Sequence, residues 1–269
     1  MIESVFALVF GLLIGSFLNV CIHRMPRNRS VVKPRSHCVR CRKLIAWYDN
    51  IPLVSYIVLS GRCRYCKRRI SPRYPMVEAL TAAVFCYVVA TRGVTLGAVK
   101  TCVFASMVIA LLFSDLETRI LPDQFTKGGI VLGLAFAPFV PVPDVMAHLL
   151  LDVLGFRWPE WAMSLGESAL GAGFPPLLLW VAGWLYLKIR HREGLGFGDV
   201  KLIAMVGSFL GLRGAFLTLV AGSVAGSVIG LAYIKLTGKK ASDYELPFGT
   251  FLGVAALVVA IFEKQLMGL

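Results

Sequence analysis

Long apolar segments recur along the whole chain, and they leave few folds open to it. Of the 269 residues, 57% are hydrophobic and only 16% are charged, whereas soluble domains carry roughly 25% charged residues. We count about eight apolar segments, and a helix needs about 20 such residues to cross a bilayer. Because lipid offers the backbone no hydrogen-bond partners, this pattern predicts an all-α polytopic membrane protein with about eight transmembrane helices.

The order of charged and apolar residues predicts how these segments cross the membrane. Positive charge follows the first segment, residues 1–21, instead of preceding it, which indicates a retained span and not a cleaved signal peptide. Residues 141–165 are predicted to form an external loop, and a turn at Arg213 and Gly214 to separate the sixth span from the seventh. Alternating spans, with both ends of the chain outside, place all but five of the 28 lysines and arginines at the inner side.

The net charge of +13 is concentrated in one stretch. Residues 24–73 contain half of the 28 lysines and arginines and a single acid, Asp49. A basic block between two spans keeps its loop in the cytoplasm and attracts anionic lipid headgroups. Nucleic-acid binding is not expected, because the block lacks the regularly spaced aromatic residues on which bases stack. Anionic membrane lipid is therefore an expected partner.

The same stretch carries two Cys-x-x-Cys pairs with 21 residues between them, Cys38 with Cys41 and Cys63 with Cys66. Four thiolates at this spacing predict a zinc-ribbon-like site, which would be structural because sulfur fills all four positions. Two disulfides are the alternative, disfavoured in a reducing cytoplasm. The predicted division is a first transmembrane helix at 1–23, a cytoplasmic four-cysteine zinc-binding insert between helices 1 and 2 at 24–75, and a membrane core at 76–269.

A glycine-rich turn places an acidic side chain at the start of a later apolar segment. Gly196 and Gly198 flank Phe197 and precede Asp199, and because they lack a Cβ, another backbone can approach closely. One interpretation is that Asp199 is only a helix N-cap. The other is chemical, because the predicted topology brings Asp115, at the inner end of the third span, to the same membrane face.

Two carboxylates at one place can carry out acid–base chemistry. Neighbouring acids share a proton, so that one acts as a general base on water while the other donates to a carbonyl oxygen. Glu117 and Asp123 are alternative acids, and Asp123 follows a proline at the start of the fourth span, where an N-cap or a supporting role is open to it. His191 is a possible proton partner, although an exposed loop histidine is the more common case.

Five motifs occur in a fixed order along the chain. They are Gly15-Ser16-Phe17-Leu18-Asn19-Val20, the paired cysteines, Tyr74-Pro75-Met76-Val77-Glu78, Asp115 followed by Leu121-Pro122-Asp123, and the Gly-x-Gly-Asp turn at 196–199. Together they resemble the bacterial type IV prepilin peptidases, GxGD aspartic proteases of peptidase family A24, over essentially the full length. The resemblance implies an endopeptidase of the bacterial inner membrane that cleaves the basic leader of type IV prepilins and type II secretion pseudopilins at the cytoplasmic face. It implies Asp115 and Asp199 as the catalytic pair, in a peptidase core at 76–269.

The resemblance also implies a second activity. Many family members methylate the new N-terminal residue with S-adenosylmethionine, and the zinc insert accompanies that activity. The family's Gly-Lys before the third cysteine reads Gly61-Arg62 here, a change that keeps the charge but alters the donor geometry. Gly61, Arg62 and Glu78 are the methyltransferase candidates, and no Rossmann fingerprint marks a cofactor pocket.

Two other classes of protein remain as alternatives. A proton-coupled transporter also uses paired intramembrane acids, although a relay favours the membrane midplane over one face. A zinc-ribbon scaffold for secretion machinery would need no catalysis. If the chain is the protease, charge attraction between the substrate leader and the insert does not explain docking, because both are basic. Anionic lipid is expected to mediate between them, with Glu78, Glu117 and Asp123 as local acids.

Overall fold

The computed structural model describes residues 2–142, 158–191, 195–237 and 247–262, and in these ranges the regular structure is helical, with two isolated β-bridges and no strand. The chain divides into two compact units, residues 1–113 and 114–269. The helices are α1 (Ile2–Arg24), α2 (Val54–Val58), α3 (Arg73–Arg92), α4 (Leu96–Thr118), α5 (Asp123–Phe136), α6 (Glu160–Arg190), α7 (Phe197–Thr237) and α8 (Phe248–Ile261).

Five of these helices are long and apolar enough to cross a membrane, namely α1, α3, α4, α6 and α7. The shorter apolar helix α8 has 14 residues. Many of their large apolar side chains are exposed, as lipid-facing residues are, including Phe6, Phe10 and Leu13 on α1. The prediction of a polytopic all-α membrane protein is therefore confirmed.

In the first unit, α1 and α3 pack against each other in opposite directions. A Cβ built on Gly11 would lie 2.7 Å from the Cα of Ala82, and one on Gly15 would lie 2.7 Å from the Cα of Glu78. Any larger residue at these two positions would force the helices apart. Glycine therefore fixes which residues of α1 and α3 face each other.

The insert between these helices is built from short turns. Each cysteine pair forms a knuckle with the same hydrogen bonds: the N–H of Cys38 donates to Lys43 O, and the N–H of Cys63 donates to Arg68 O. Asp49 forms a bidentate ion pair with Arg64, with nitrogen–oxygen distances of 2.6 and 2.7 Å. The Arg64 guanidinium lowers the pKa of Asp49. This pair ties the 3-10 turn Trp47–Asn50 to the second knuckle.

In the second unit, α7 packs against α5, α6 and α8. It contains one break, at Gly211, whose φ of 71° and ψ of −172° are not helical. The predicted turn at Arg213 and Gly214 is wrong in position, since both residues are helical and the chain departs from the helix two residues earlier. Glycine can adopt this positive φ without strain. A Cβ built on Gly171 of α6 would lie 2.5 Å from the carbonyl carbon of Gly211, so the two backbones touch at the break.

Four further boundaries differ from the sequence interpretation. Helix α4 continues to Thr118, so Asp115 lies inside its last turn. Helix α7 begins at Phe197, which makes Asp199 its third residue and not its N-cap. Helix α6 begins at Glu160, inside the predicted external loop, whose residues 143–157 lie outside the described ranges. The N-cap of α5 is Pro122, so Asp123 is the first helical residue.

Candidate active site and metal centre

Asp199 lies in the first turn of α7, directly after the glycine-rich turn. Its side chain is buried, with 9% of the residue exposed, and its N–H donates to Gly196 O at 3.1 Å. A Cβ on Gly198 would lie 3.2 Å from the Leu121 side chain. The loop between α4 and α5 thus packs directly on the turn, which holds Asp199 at a fixed place.

Asp115 lies in the last turn of α4 and is 6% exposed. Its Oδ2 accepts two hydrogen bonds from Thr250 in the first turn of α8, from the backbone N–H at 2.7 Å and from Oγ1 at 2.8 Å. Two donors on one oxygen fix the rotation of the carboxylate. They leave Oδ1 as the oxygen with which Asp115 can act.

Gly249 brings these two acids together. A Cβ built on it would lie 3.1 Å from Cγ of Asp115, 3.2 Å from Oδ2 of Asp115 and 3.1 Å from Oδ1 of Asp199. Since both oxygens lie within 3.2 Å of one point, they are separated by at most twice that distance. Two carboxylates within this range repel each other as like charges, so they do not both ionise easily. The arrangement can therefore perform general acid–base chemistry on a bound water.

Asp123 lies in an ion-pair network beside this site. Its two oxygens contact the ammonium groups of Lys201 at 2.6 Å and Lys127 at 2.7 Å. Lys201 follows Asp199 by two residues on α7, so the pair joins the starts of α5 and α7. The other candidates of the second unit are exposed: Glu117 on α4 and His191 at the end of α6.

The sequence interpretation did not single out Gly249 and Thr250. They follow Pro247 and Phe248 at the start of the last apolar segment. The available signal was a glycine beside a hydroxyl residue at the inner end of a span, the same membrane level at which Asp115 and Asp199 are predicted. Topology alone could have pointed to them as neighbours of the acids.

The four cysteines of the insert form one cluster. Their Sγ atoms lie within 4.8 Å of one another, and those of Cys38 and Cys66 are 3.9 Å apart. Tetrahedral zinc with bonds of about 2.3 Å would place its sulfur ligands about 3.8 Å apart, so this donor set fits the metal. Backbone N–H groups of Cys66 and Tyr65 lower the pKa of Cys63, whereas burial and the neighbouring thiols raise that of Cys41, so the support for a metal rests on the arrangement of the four sulfur atoms. All four cysteines are free, so the disulfide alternative is not seen.

The methyltransferase candidates lie around α2 in the first unit. Gly61 has a φ of 64°, and its Cα faces the ring of Tyr56; Arg62 is exposed and pairs across an isolated bridge with Arg69. Glu78 on α3 is 8% exposed, and its Oε2 accepts the N–H of Leu53 at 2.8 Å. Helix α2 therefore contacts Gly61 through Tyr56. It begins directly after Leu53, the residue whose N–H binds Glu78.

Comparison with known proteins agrees with this geometry. The sequence matches the bacterial peptidase A24 N-terminal domain over residues 9–92 and the type IV leader peptidase family over residues 102–231. A prepilin leader peptidase/N-methyltransferase of Myxococcus xanthus is 38% identical over 88% of this chain and 64% of its own length. Proteins of the same name from Aeromonas salmonicida and Pseudomonas aeruginosa are 33% and 31% identical, each over 96% of this chain and 90% of the relative. No solved structure matches the chain.

Proposed function

Because the chain belongs to the type IV leader peptidase family, we propose that it is a membrane aspartic endopeptidase that removes the basic leader of type IV prepilins and type II secretion pseudopilins. It is a multi-pass protein of the bacterial inner membrane. The observation that carries the proposal is the position of Gly249, where an added Cβ would lie 3.1 Å from Cγ of Asp115 and 3.1 Å from Oδ1 of Asp199. Gly196 and Gly198 support the same assignment, since a Cβ on Gly196 would lie 3.2 Å from Oδ2 of Asp199 and one on Gly198 would crowd the Leu121 side chain that packs on the turn.

The two acids have different surroundings, which supports different roles. Asp115 accepts two hydrogen bonds from Thr250, and hydrogen bonds to a carboxylate favour its charged form. Asp115 is then the general base that takes a proton from water through Oδ1. Asp199 holds the proton of the pair and donates it to the carbonyl oxygen as water adds to the carbon. Asp115 then passes the proton it took from water to the amide nitrogen, Asp199 takes back a proton from one hydroxyl, and the C–N bond breaks to release the amine and the carboxylic acid. Asp123 and Lys201 hold the start of α7 in register during these steps.

The active site faces the cytoplasm in this proposal. The basic insert follows α1 directly and leads into α3, so the positive-inside rule places the inner ends of both helices at the cytoplasmic surface. Anionic lipid at that surface attracts the insert and the basic leader alike. Lipid headgroups can therefore bring together two segments that repel each other. Cleavage in bilayers without anionic lipid should be slower if this is correct.

The second proposed activity is N-methylation of the new N-terminus, as the names of the relatives indicate for those proteins. S-adenosylmethionine would supply the methyl group when bound, and Gly61, Arg62 and Glu78 are the residues assigned to this activity. Zinc in the four-cysteine cluster would hold the two knuckles, and with them α2, in place. Its role is structural, because four sulfur ligands leave no open position.

Cleavage of a purified prepilin in detergent tests the proposal. The parent protein should convert the substrate to the shorter form, and Asp115→Ala and Asp199→Ala should each abolish the mobility shift with zinc content unchanged. Glu117→Ala is the matched control, since it removes an exposed acid from the same helix as Asp115 and should cleave normally. A substrate left whole by the parent, or cut by either aspartate variant, would instead favour the transporter or the scaffold.

A further inference from the structure

A second buried acceptor site lies in the first unit, between α1 and α3. Asn19 on α1 is 2% exposed, and its Nδ2 donates to Tyr74 O at 3.0 Å. Its Oδ1 is buried and has no hydrogen-bond partner among the described residues. A buried amide oxygen without a donor costs free energy, so this oxygen is available to accept a hydrogen bond from a ligand.

Glu78 lies one helical turn from this orphan oxygen. Gly15 packs on Glu78, and Asn19 bonds to Tyr74. Within each helix, the two residues are four positions apart. That spacing corresponds to about 6 Å along the helix axis. The two acceptors, Asn19 Oδ1 and the Glu78 carboxylate, therefore lie along the same contact between α1 and α3.

The Glu78 carboxylate accepts a hydrogen bond from a neutral donor. Its Oε2 accepts the N–H of Leu53 at 2.8 Å. No ion pair of Glu78 with a lysine or arginine is found among the described residues. Buried carboxylates are normally paired with a cation, so a ligand with a positive group would supply the partner that Glu78 lacks in the described part of the chain.

The backbone at Leu53 is strained to serve this contact. Its φ of 58° and ψ of −48° form a classic γ-turn, closed by the Val54 N–H donating to Pro52 O at 2.6 Å. This conformation is rare outside glycine, and strain of this kind concentrates at functional sites. The turn aims the Leu53 N–H at Glu78 and thereby links the zinc insert to α3.

We propose that Asn19 and Glu78 form a binding site for a substrate ammonium group, the α-amine that leader cleavage exposes on the mature pilin. The inference rests on the proposed function and adds the site that receives the product of cleavage. Glu78 takes one proton from the ammonium group, which frees the nitrogen lone pair, and Asn19 Oδ1 accepts a remaining N–H. The nitrogen then forms its bond to the methyl carbon as the methyl–sulfur bond of the sulfonium donor breaks, and the electron pair leaves on the thioether sulfur.

The basic side chains of the leader are a second source of the same chemistry, and binding measurements separate the two. The probes are a synthetic peptide with the mature N-terminus, the same peptide N-acetylated, and the uncleaved prepilin. The parent should bind the free-amine peptide about tenfold or more tightly than the acetylated one. Glu78→Gln should remove that preference, while Glu78→Asp keeps part of it. Glu3→Gln, at an exposed acid of α1, is the matched control.

Each outcome decides the proposal. Equal binding of the free and acetylated peptides by the parent overturns it, whatever the variants do. A Glu78→Gln variant that weakens binding of uncleaved prepilin and spares the mature peptide assigns the site to the leader instead. If Glu78→Gln loses zinc or melts early, the parent's own preference decides. Because the mature peptide needs no cleavage, failure of the peptidase proposal would appear separately, as a parent that leaves prepilin intact.

Discussion

Replacing Thr250 by valine tests how the site holds Asp115, the proposed general base. Valine has nearly the shape of threonine, so the packing of α8 is kept and the backbone N–H still donates to Asp115 at 2.7 Å. The hydroxyl hydrogen bond of 2.8 Å to Asp115 is lost. Asp115 then has one donor in place of two, and its carboxylate can rotate away from the water.

The expected size of the effect follows from that single bond. A hydrogen bond to a charged group contributes about 1.5–3 kcal/mol, and each 1.36 kcal/mol corresponds to tenfold in rate. Thr250→Val should therefore lower kcat for leader cleavage by about 10- to 100-fold. Thr250→Ser keeps the hydroxyl and should stay within a few-fold of the parent.

Initial rates of prepilin cleavage at saturating substrate measure this effect, with thermal melting as the check on folding. Comparing the two variants separates the effect of the hydroxyl group, which serine keeps, from the effect of the methyl group, which valine keeps. A valine variant that cleaves within twofold of the parent would refute the reasoning. So would a serine variant as slow as valine, because the hydroxyl could then not be the cause.

Three further predictions concern other parts of the chain. Gly249→Ala would place a methyl group 3.1 Å from both acids, so we expect cleavage to fall about 100-fold, while Gly128→Ala, with open space around it, keeps its kcat. Lys201→Met should slow cleavage by up to about fivefold, since a half-exposed ion pair contributes about 1 kcal/mol or less; the same loss in Lys127→Met, which breaks a pair within one helix, would contradict a role in joining two helices. Cys38→Ser should release zinc, measured by a chromophoric chelator, and impair methylation; cleavage lost as completely as in an active-site variant would show that the insert is also needed for proteolysis.

The positions of the helices could be predicted from the sequence because lipid permits few alternatives. Apolar length and the location of basic residues suffice to place α1, α3 and α4 within a few residues. Glycine determines the details that were missed. The break in α7 falls at Gly211, and nothing in the local composition distinguishes it from Gly214, since the choice depends on the close approach of Gly171.

The candidate site could be predicted in part. Asp115 and Asp199 are visible in the sequence because charged residues at the end of an apolar segment are uncommon. Gly249 and Thr250 are not visible in the same way, since glycine and threonine are frequent in membrane helices for packing reasons. Their role depends on which helix end meets which, and the sequence does not specify that pairing.

Helix α8 is the last described helix of the chain, and it supplies both Gly249 and the two donors that hold Asp115. A ribosome must therefore synthesise the chain as far as residues 247–250 before Asp115 acquires these partners. A shorter nascent chain already contains both aspartates, yet it lacks the residues that orient one of them. If the two acids act as proposed, the active arrangement forms only after α8 has been synthesised and packed.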